Sequence, residues 1–367
     1  MEKPKIHYYW LDLFRGLAAL VVVMMHCRAL MFVEFGLLPP SNKTMFTKMF
    51  YLFTRLGHQA VMVFFVLSGF LVGGKLIQRL KEGTFDLRSY TIDRTVRIFL
   101  PLTSAIILIF ISNTITGQKY GIIDYFGNLL SLQDILVTRV SGPLWSLAYE
   151  VWFYILMGAI AWCFITSKMT YKYASALILF ICFLIFSYSL RSVYLFIWLL
   201  GAISFLFGKK NNVIKFSGIV LLILSVGAFE LYGHDKTLNA YKENHVEIIE
   251  LSIGLAVCIL AQQVVFSQPK RKLSIAIDGL GTKLANFSYT LYLTHVPIAE
   301  LLVYEGFPKN KSVNARSIFN YTGGIVIALI GAYVLYWLFE KRTKYVKNKI
   351  NQLLDRKKHI LEEALID

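Results

Sequence analysis

Two ionisable side chains interrupt the first apolar stretch, LDLFRGLAALVVVMMHCRALMF: Arg15 and His26, eleven positions apart. At about 100° per residue, eleven steps make just over three helical turns, so the two share one face roughly 16 Å apart. Ionisable groups inside a bilayer are costly and face a bundle interior or a water-filled cavity. A cation near one surface and an imidazole well above it suit the two ends of a site that holds a long substrate. In PLWSLAYEVWFY, Glu150 lies about seven residues inside an oppositely directed stretch, and His26 lies as deep in its own, roughly 10 Å at 1.5 Å per residue. An imidazole and a carboxylate at equal depth can serve as a base and its orienting partner, or as a nucleophile and its activator. Arg94 and Arg97, in DRTVRIFLP, are one helical turn apart. With Arg15 they would form a guanidinium cluster of the kind that grips phosphate bidentately. Contact with lipid headgroups is the competing reading.

Other residues extend both ends. Ser68 opens the small-residue run that includes Gly69, Gly73 and Gly74. Such a run permits close helix packing or leaves a slot for a ligand, and Ser68 is assigned to the donor side. His58, Trp145, Tyr149 and His295 are the candidate acceptor-binding residues. Trp145 offers a face on which a sugar ring could stack, and His295 stands two positions before Pro297. Cys27, Cys163, Cys182 and Cys258 fall in apolar segments without metal-ligand spacing, so neither a metal nor a disulfide framework is expected.

The elements that must position these groups are membrane helices. The chain has 367 residues, 56% hydrophobic and 16% charged, against about a quarter charged in soluble domains. Apolar runs of about 20 residues match the thickness of a bilayer core. Ten spans are placed at 12–33, 57–77, 98–115, 143–165, 173–189, 192–208, 214–232, 246–266, 284–305 and 319–340. The expectation is an all-α integral membrane protein, with residues 1–340 as the ten-span domain and 341–367 as a basic amphipathic tail against the anionic inner leaflet. The stretch IIDYFGNLLSLQDIL reads as a short interfacial helix. No cleavable signal peptide is expected, because the first apolar run carries Arg15.

The net charge is +16. Of the 38 Lys and Arg, 26 fall on the side of the chain termini and 11 on the other, with Arg28 inside span one. Such asymmetry places both termini in the cytoplasm of an inner (plasma) membrane protein. It also accounts for the basicity without a nucleic-acid partner. A homodimeric assembly stays open at this stage.

Six pieces together resemble the acyltransferase-3 family of membrane acyltransferases: RGLAALVVVMMH, FFVLSGFLVGG, RTVRIFLP, PLWSLAYEVWFY, SYTLYLTHVP and FEKR. They stand in family order and cover most of the chain, with weak similarity in spans five to eight. The resemblance implies a ten-span enzyme that moves an acyl group, usually acetyl, from cytoplasmic acyl-CoA to a carbohydrate hydroxyl at or beyond the outer face. It carries an arginine–histidine pattern onto Arg15 and His26, an arginine pair onto Arg94 and Arg97, and a carboxylate onto Glu150. Some relatives bear an extracytoplasmic hydrolase-like domain; this chain is expected to act as a stand-alone member on a free or lipid-linked glycan.

In that reading the three arginines hold acetyl-CoA by its phosphates, and His26 is either general base or acyl-accepting nucleophile, with Glu150 beside it. A carrier or flippase, using the same buried groups for a glycan-related substrate, is the alternative. A scaffold role in polysaccharide assembly is a third.

Overall fold

The computed structural model of the chain describes residues 8–207, 211–232, 240–265 and 272–363. The described residues are almost wholly helical. Span one is α1 (Tyr9–Met31). Two single-turn 3-10 segments lead to α2 (Met45–Phe53), whose start is fixed by Thr44 accepting the Thr47 backbone N–H at 3.2 Å. Span two is a single rod: α3 (Gly57–Ser68), a π-helical stretch Gly69–Gly74, then α4 (Lys75–Lys81). Asp86 caps α5 (Leu87–Thr116) by accepting the Ser89 N–H at 2.8 Å, and Gly117 ends it at φ +76°. α6 (Ile122–Leu129) covers the first eight residues of the stretch read as a short interfacial helix; from Leu130 the chain turns, and the rest of that stretch is not helical.

The remaining rods are α7 (Leu144–Ile165), α8 (Met169–Tyr188), α9 (Ser192–Ser204), α10 (Asn212–Tyr232), α11 (Ala240–Val264), α12 (Lys272–Tyr304) and α13 (Ala315–Leu338). α14 (Thr343–Glu363) closes the described chain. Each of the ten expected spans falls on a helix. Eight described helices are long and apolar enough to cross a membrane. The difference of two has a physical cause. α9 has 13 residues, roughly 20 Å of helix against a core of about 30 Å. α12 is long enough, but the polar side chains of its second half, Ser288, Tyr289, Thr290, Thr294, His295 and Glu300 among them, keep its hydropathy low.

Lys75 lies over the Tyr8 ring at 5.3 Å, and Lys347 pairs with Asp93. The start of α1, the α4–α5 turn and the start of α14 therefore share one end of the bundle, here the near face. Arg88 pairs with Asp355 at 2.7 Å and adds a second tie from α14 to α5. The far face carries the end of α1, α2, α6 and the start of α7.

Two close approaches set the site. The glycine run of span two lies against α9: a Cβ on Gly69 would come 2.0 Å from the Trp198 carbonyl oxygen, and one on Gly201 2.4 Å from that of Val66. The run serves backbone-to-backbone packing, as small residues do in membrane bundles. α1 lies along α12, where a Cβ on Gly16 would come 2.8 Å from Leu284 Cβ. That contact brings His26 of α1 and His295 of α12 together.

Candidate active site

α12 carries a polar ladder between the two ends of the bundle. Tyr289, Tyr292 and His295 follow at steps of three, so they share one side of the helix. At the top, His295 Nε2 and His26 Nδ1 are 2.9 Å apart, with ring centroids 4.9 Å apart. His295 is fully buried.

The hydrogen bonds of this pair fix its protons. His295 Nδ1 is 2.9 Å from the Leu291 carbonyl, which can only accept. Neutral His295 therefore carries its proton on Nδ1 and presents Nε2 as an acceptor. His26 Nδ1 faces that acceptor and, at 3.1 Å, the Val22 carbonyl. Both partners call for a proton on His26 Nδ1. The His26 Nε2 lone pair is then the unused basic atom of the dyad.

One rung below, the Tyr292 hydroxyl is 2.6 Å from Ser146 Oγ of α7. Below that, Glu150 accepts from the Tyr154 hydroxyl and from Ser68 Oγ, the latter at 3.2 Å. Trp198 Nε1 donates to Ser68 Oγ at 3.1 Å. The buried π-stretch of span two thus ends on a serine held by three polar neighbours. Tyr289 lies within electrostatic range of Glu150, Tyr154, Glu340 and Arg97, and its buried hydroxyl has no hydrogen-bond partner among the described residues.

The bottom of the ladder is cationic. Arg15 lies within electrostatic range of Arg97, Asp12, Tyr154 and Glu150. Lys75 lies within range of Arg79, Arg94, Arg97 and Arg15. Arg94 stacks over the Tyr154 ring at 5.5 Å. Glu340 accepts the Thr290 backbone N–H at 3.2 Å and its hydroxyl at 2.5 Å, on the edge of the same group. Clustered guanidinium and ammonium groups of this kind suit a polyphosphate.

The expected residues are thus sorted in space. Arg15, Arg94 and Arg97 converge, and Ser68 joins them through Glu150 and Tyr154. Among the described residues no hydrogen bond joins His26 to Glu150; the imidazole's partner is His295, which the sequence reading had placed with the acceptor. Equal depth does not ensure contact, because helical faces decide which residues meet.

His58, Trp145 and Tyr149 form a separate far-face network. His58 stacks on Trp145 at 5.8 Å and meets Glu250, 1% exposed, at 2.6 Å. Arg191 and Tyr194 also donate to Glu250, each at 3.0 Å, and the Arg191 backbone N–H donates to the Tyr149 hydroxyl at 2.9 Å. Lys75, Tyr154, Glu340, Glu250 and Arg191 were missed. Glu250, a carboxylate within an expected span, carried the clearest signal.

Over residues 8–337 the chain matches the acyltransferase-3 family model, described as an acyltransferase domain. No curated protein and no solved structure matches it. A match over that length, on a bundle of membrane-spanning helices, places the chain in the acyltransferase-3 family as a multi-pass membrane acyltransferase.

Proposed function

We propose that the protein is an O-acetyltransferase that takes acetyl from cytoplasmic acetyl-CoA and esterifies a carbohydrate hydroxyl on a cell-surface or exported glycan. The observation that carries the reading is the pairing along α1: Arg15 within the cationic group, and His26 in a dyad whose Nε2 is unused. A CoA molecule has phosphates at one end and a thioester on an extended arm at the other. The gap between Arg15 and His26 is of that arm's scale.

Arg15, Arg94, Arg97 and Lys75 bind the phosphates from the near face. His26 Nε2 takes the proton of the acceptor hydroxyl as its oxygen bonds to the thioester carbonyl carbon. The carbon–sulfur bond then breaks, and the imidazolium returns the proton to sulfur. The products are the ester and the free CoA thiol. His295 holds the His26 tautomer that this needs and spreads the charge of the imidazolium. Glu150, through Tyr154 and Ser68, lines the ladder by which the arm passes. No metal or nucleic acid enters this scheme, and the membrane lipids contact the tail and the cationic face.

The test is a thiol-release assay on the purified protein in lipid nanodiscs with acetyl-CoA and glycan acceptors. Release that requires the acceptor is expected, with a loss on the order of 10²–10⁴ in His26→Ala. Labelled acetyl that stays on the protein without acceptor would replace the general base by an acyl-enzyme. Flux of a glycan into sealed vesicles without thiol release would replace the enzyme by a carrier.

A further inference from the structure

On the far face a two-lobed cleft opens beside the last turn of α5. Its polar lobe has a volume of about 470 Å³, and Gln118, Tyr120, Arg139, Ser141 and Glu300 are among its lining residues. Both lobes are shallow and open to the surroundings, so an occupant would rest on them rather than be enclosed. A second lobe of about 340 Å³ includes Ile123, Leu136 and Val137 and shares Asp134 and Thr138 with the first.

The polar lobe is built rather than incidental. Arg139 is held by Asp134 Oδ1 at 3.2 and 3.1 Å and by the Gly142 carbonyl at 3.3 Å. Gln118 hydrogen-bonds to Glu300, bridging the end of α5 to α12. Ser141 is only 9% exposed, and its buried hydroxyl has no partner among the described residues. Guanidinium, carboxylate, amide and hydroxyl groups around a tyrosine ring supply both donors and acceptors for vicinal hydroxyls, with an apolar face for a sugar ring.

The second lobe has a different chemistry. Ile123 is 73% and Leu136 75% exposed, and Phe126 beside them 62%. They stand level with the last turn of a membrane-spanning helix, where amphipathic segments meet the headgroup region. A hydrophilic glycan free in solution gains nothing from these side chains. A molecule with a sugar head and a hydrocarbon chain uses both lobes.

Chain connectivity and side-chain contacts link the cleft to the dyad. Ser141 and Gly142 lead through Pro143 into α7, whose Ser146 meets Tyr292, and Tyr292 and His295 rings lie 6.1 Å apart. We propose that this cleft receives the carbohydrate head of a lipid-anchored acceptor, with Ile123 and Leu136 guiding its chain from the outer leaflet. The proposal rests on the acyl-transfer reading for the reaction, but its site is tested independently.

The full chain in nanodiscs is photolabelled with a dodecyl glucoside carrying a diazirine on the sugar. Labelled peptides should cover 118–142 or Glu300. Labelling should fall about tenfold in Ile123→Ser/Leu136→Ser, and also in Arg139→Gln, with thermal unfolding unchanged in both. A label centred elsewhere, or equal labelling by the methyl glucoside analogue, overturns the proposal. With acetyl-CoA, the dodecyl glucoside should release thiol about tenfold faster than the methyl glucoside in the parent protein. The two should be equal in the double variant. Equal rates in the parent overturn the lipid-anchored acceptor and leave acyl transfer standing. No release with either glucoside counts against acyl transfer, and the labelling then decides the cleft alone.

Discussion

A neutral imidazole has one donor and one acceptor nitrogen. The dyad commits both nitrogens of His295 and Nδ1 of His26 to internal bonds. In the proposed reaction His295 is a positioning residue: it need not touch substrate, and its acceptor nitrogen sets which His26 nitrogen is basic. His295→Ala should lower kcat on the order of 10² with the KM for acetyl-CoA unchanged. His295→Gln, which can keep an acceptor near the Nε2 position, should recover part of that loss. Equal losses in the two variants, or a loss in KM, would make His295 a packing residue. At the other end, Arg94→Ala should raise the donor KM, and the parent protein's donor affinity should fall with ionic strength, since salt screens partly exposed charges. A donor titration unmoved by either change would return the arginines to lipid contact. The arginine cluster and His26 were legible because charge in an apolar run is conspicuous. Their partners were not. His26 and His295 are 269 positions apart, and no local pattern says which face of α12 meets α1.

At the scale of elements, hydropathy reaches the spans and stops there. Apolar length marks each rod, since only a closed backbone hydrogen-bond ladder survives in lipid. It does not mark how the rods touch. The π-helical turn Gly69–Gly74 reads in sequence only as a small-residue run. In space it lets span two lie against α9 with main chains nearly in contact, and it delivers Ser68 to Glu150 and Trp198. Gly69→Ala places a Cβ against the Trp198 carbonyl and should destabilise the bundle by about 1–3 kcal/mol. Gly227→Ala, with nothing within 4 Å of the new Cβ, should be neutral or stabilise by up to about 1 kcal/mol. Thermal unfolding in detergent compares the two. Equal shifts would mean that α9 yields at this contact and that the glycine is not what sets the spacing.

For the whole molecule, the proposed reaction has the donor at the cationic end and the acceptor at the opposite end, so it requires one orientation. The charge count proposes its direction: by sequence, 26 of the 38 Lys and Arg fall in the segments on the side of the chain termini, the side that such a bias assigns to the cytoplasm. The ion pairs of α14 with α5 hold the basic tail against that same end, where an anionic inner leaflet would add to the bias. Single cysteines test this directly, because Cys27, Cys182 and Cys258 are buried and Cys163 is half-buried. A membrane-impermeant maleimide added to intact cells should label Ser41→Cys and Lys119→Cys, on exposed far-face turns. Thr84→Cys and Lys168→Cys, at exposed near-face turns, should react only after the membrane is broken. The reverse pattern would put the arginine cluster outside, away from any intracellular thioester. His26 would then lie closer to the cytoplasm than the cations meant to hold its substrate, and the assignment of donor and acceptor to the two ends would have to be exchanged or abandoned.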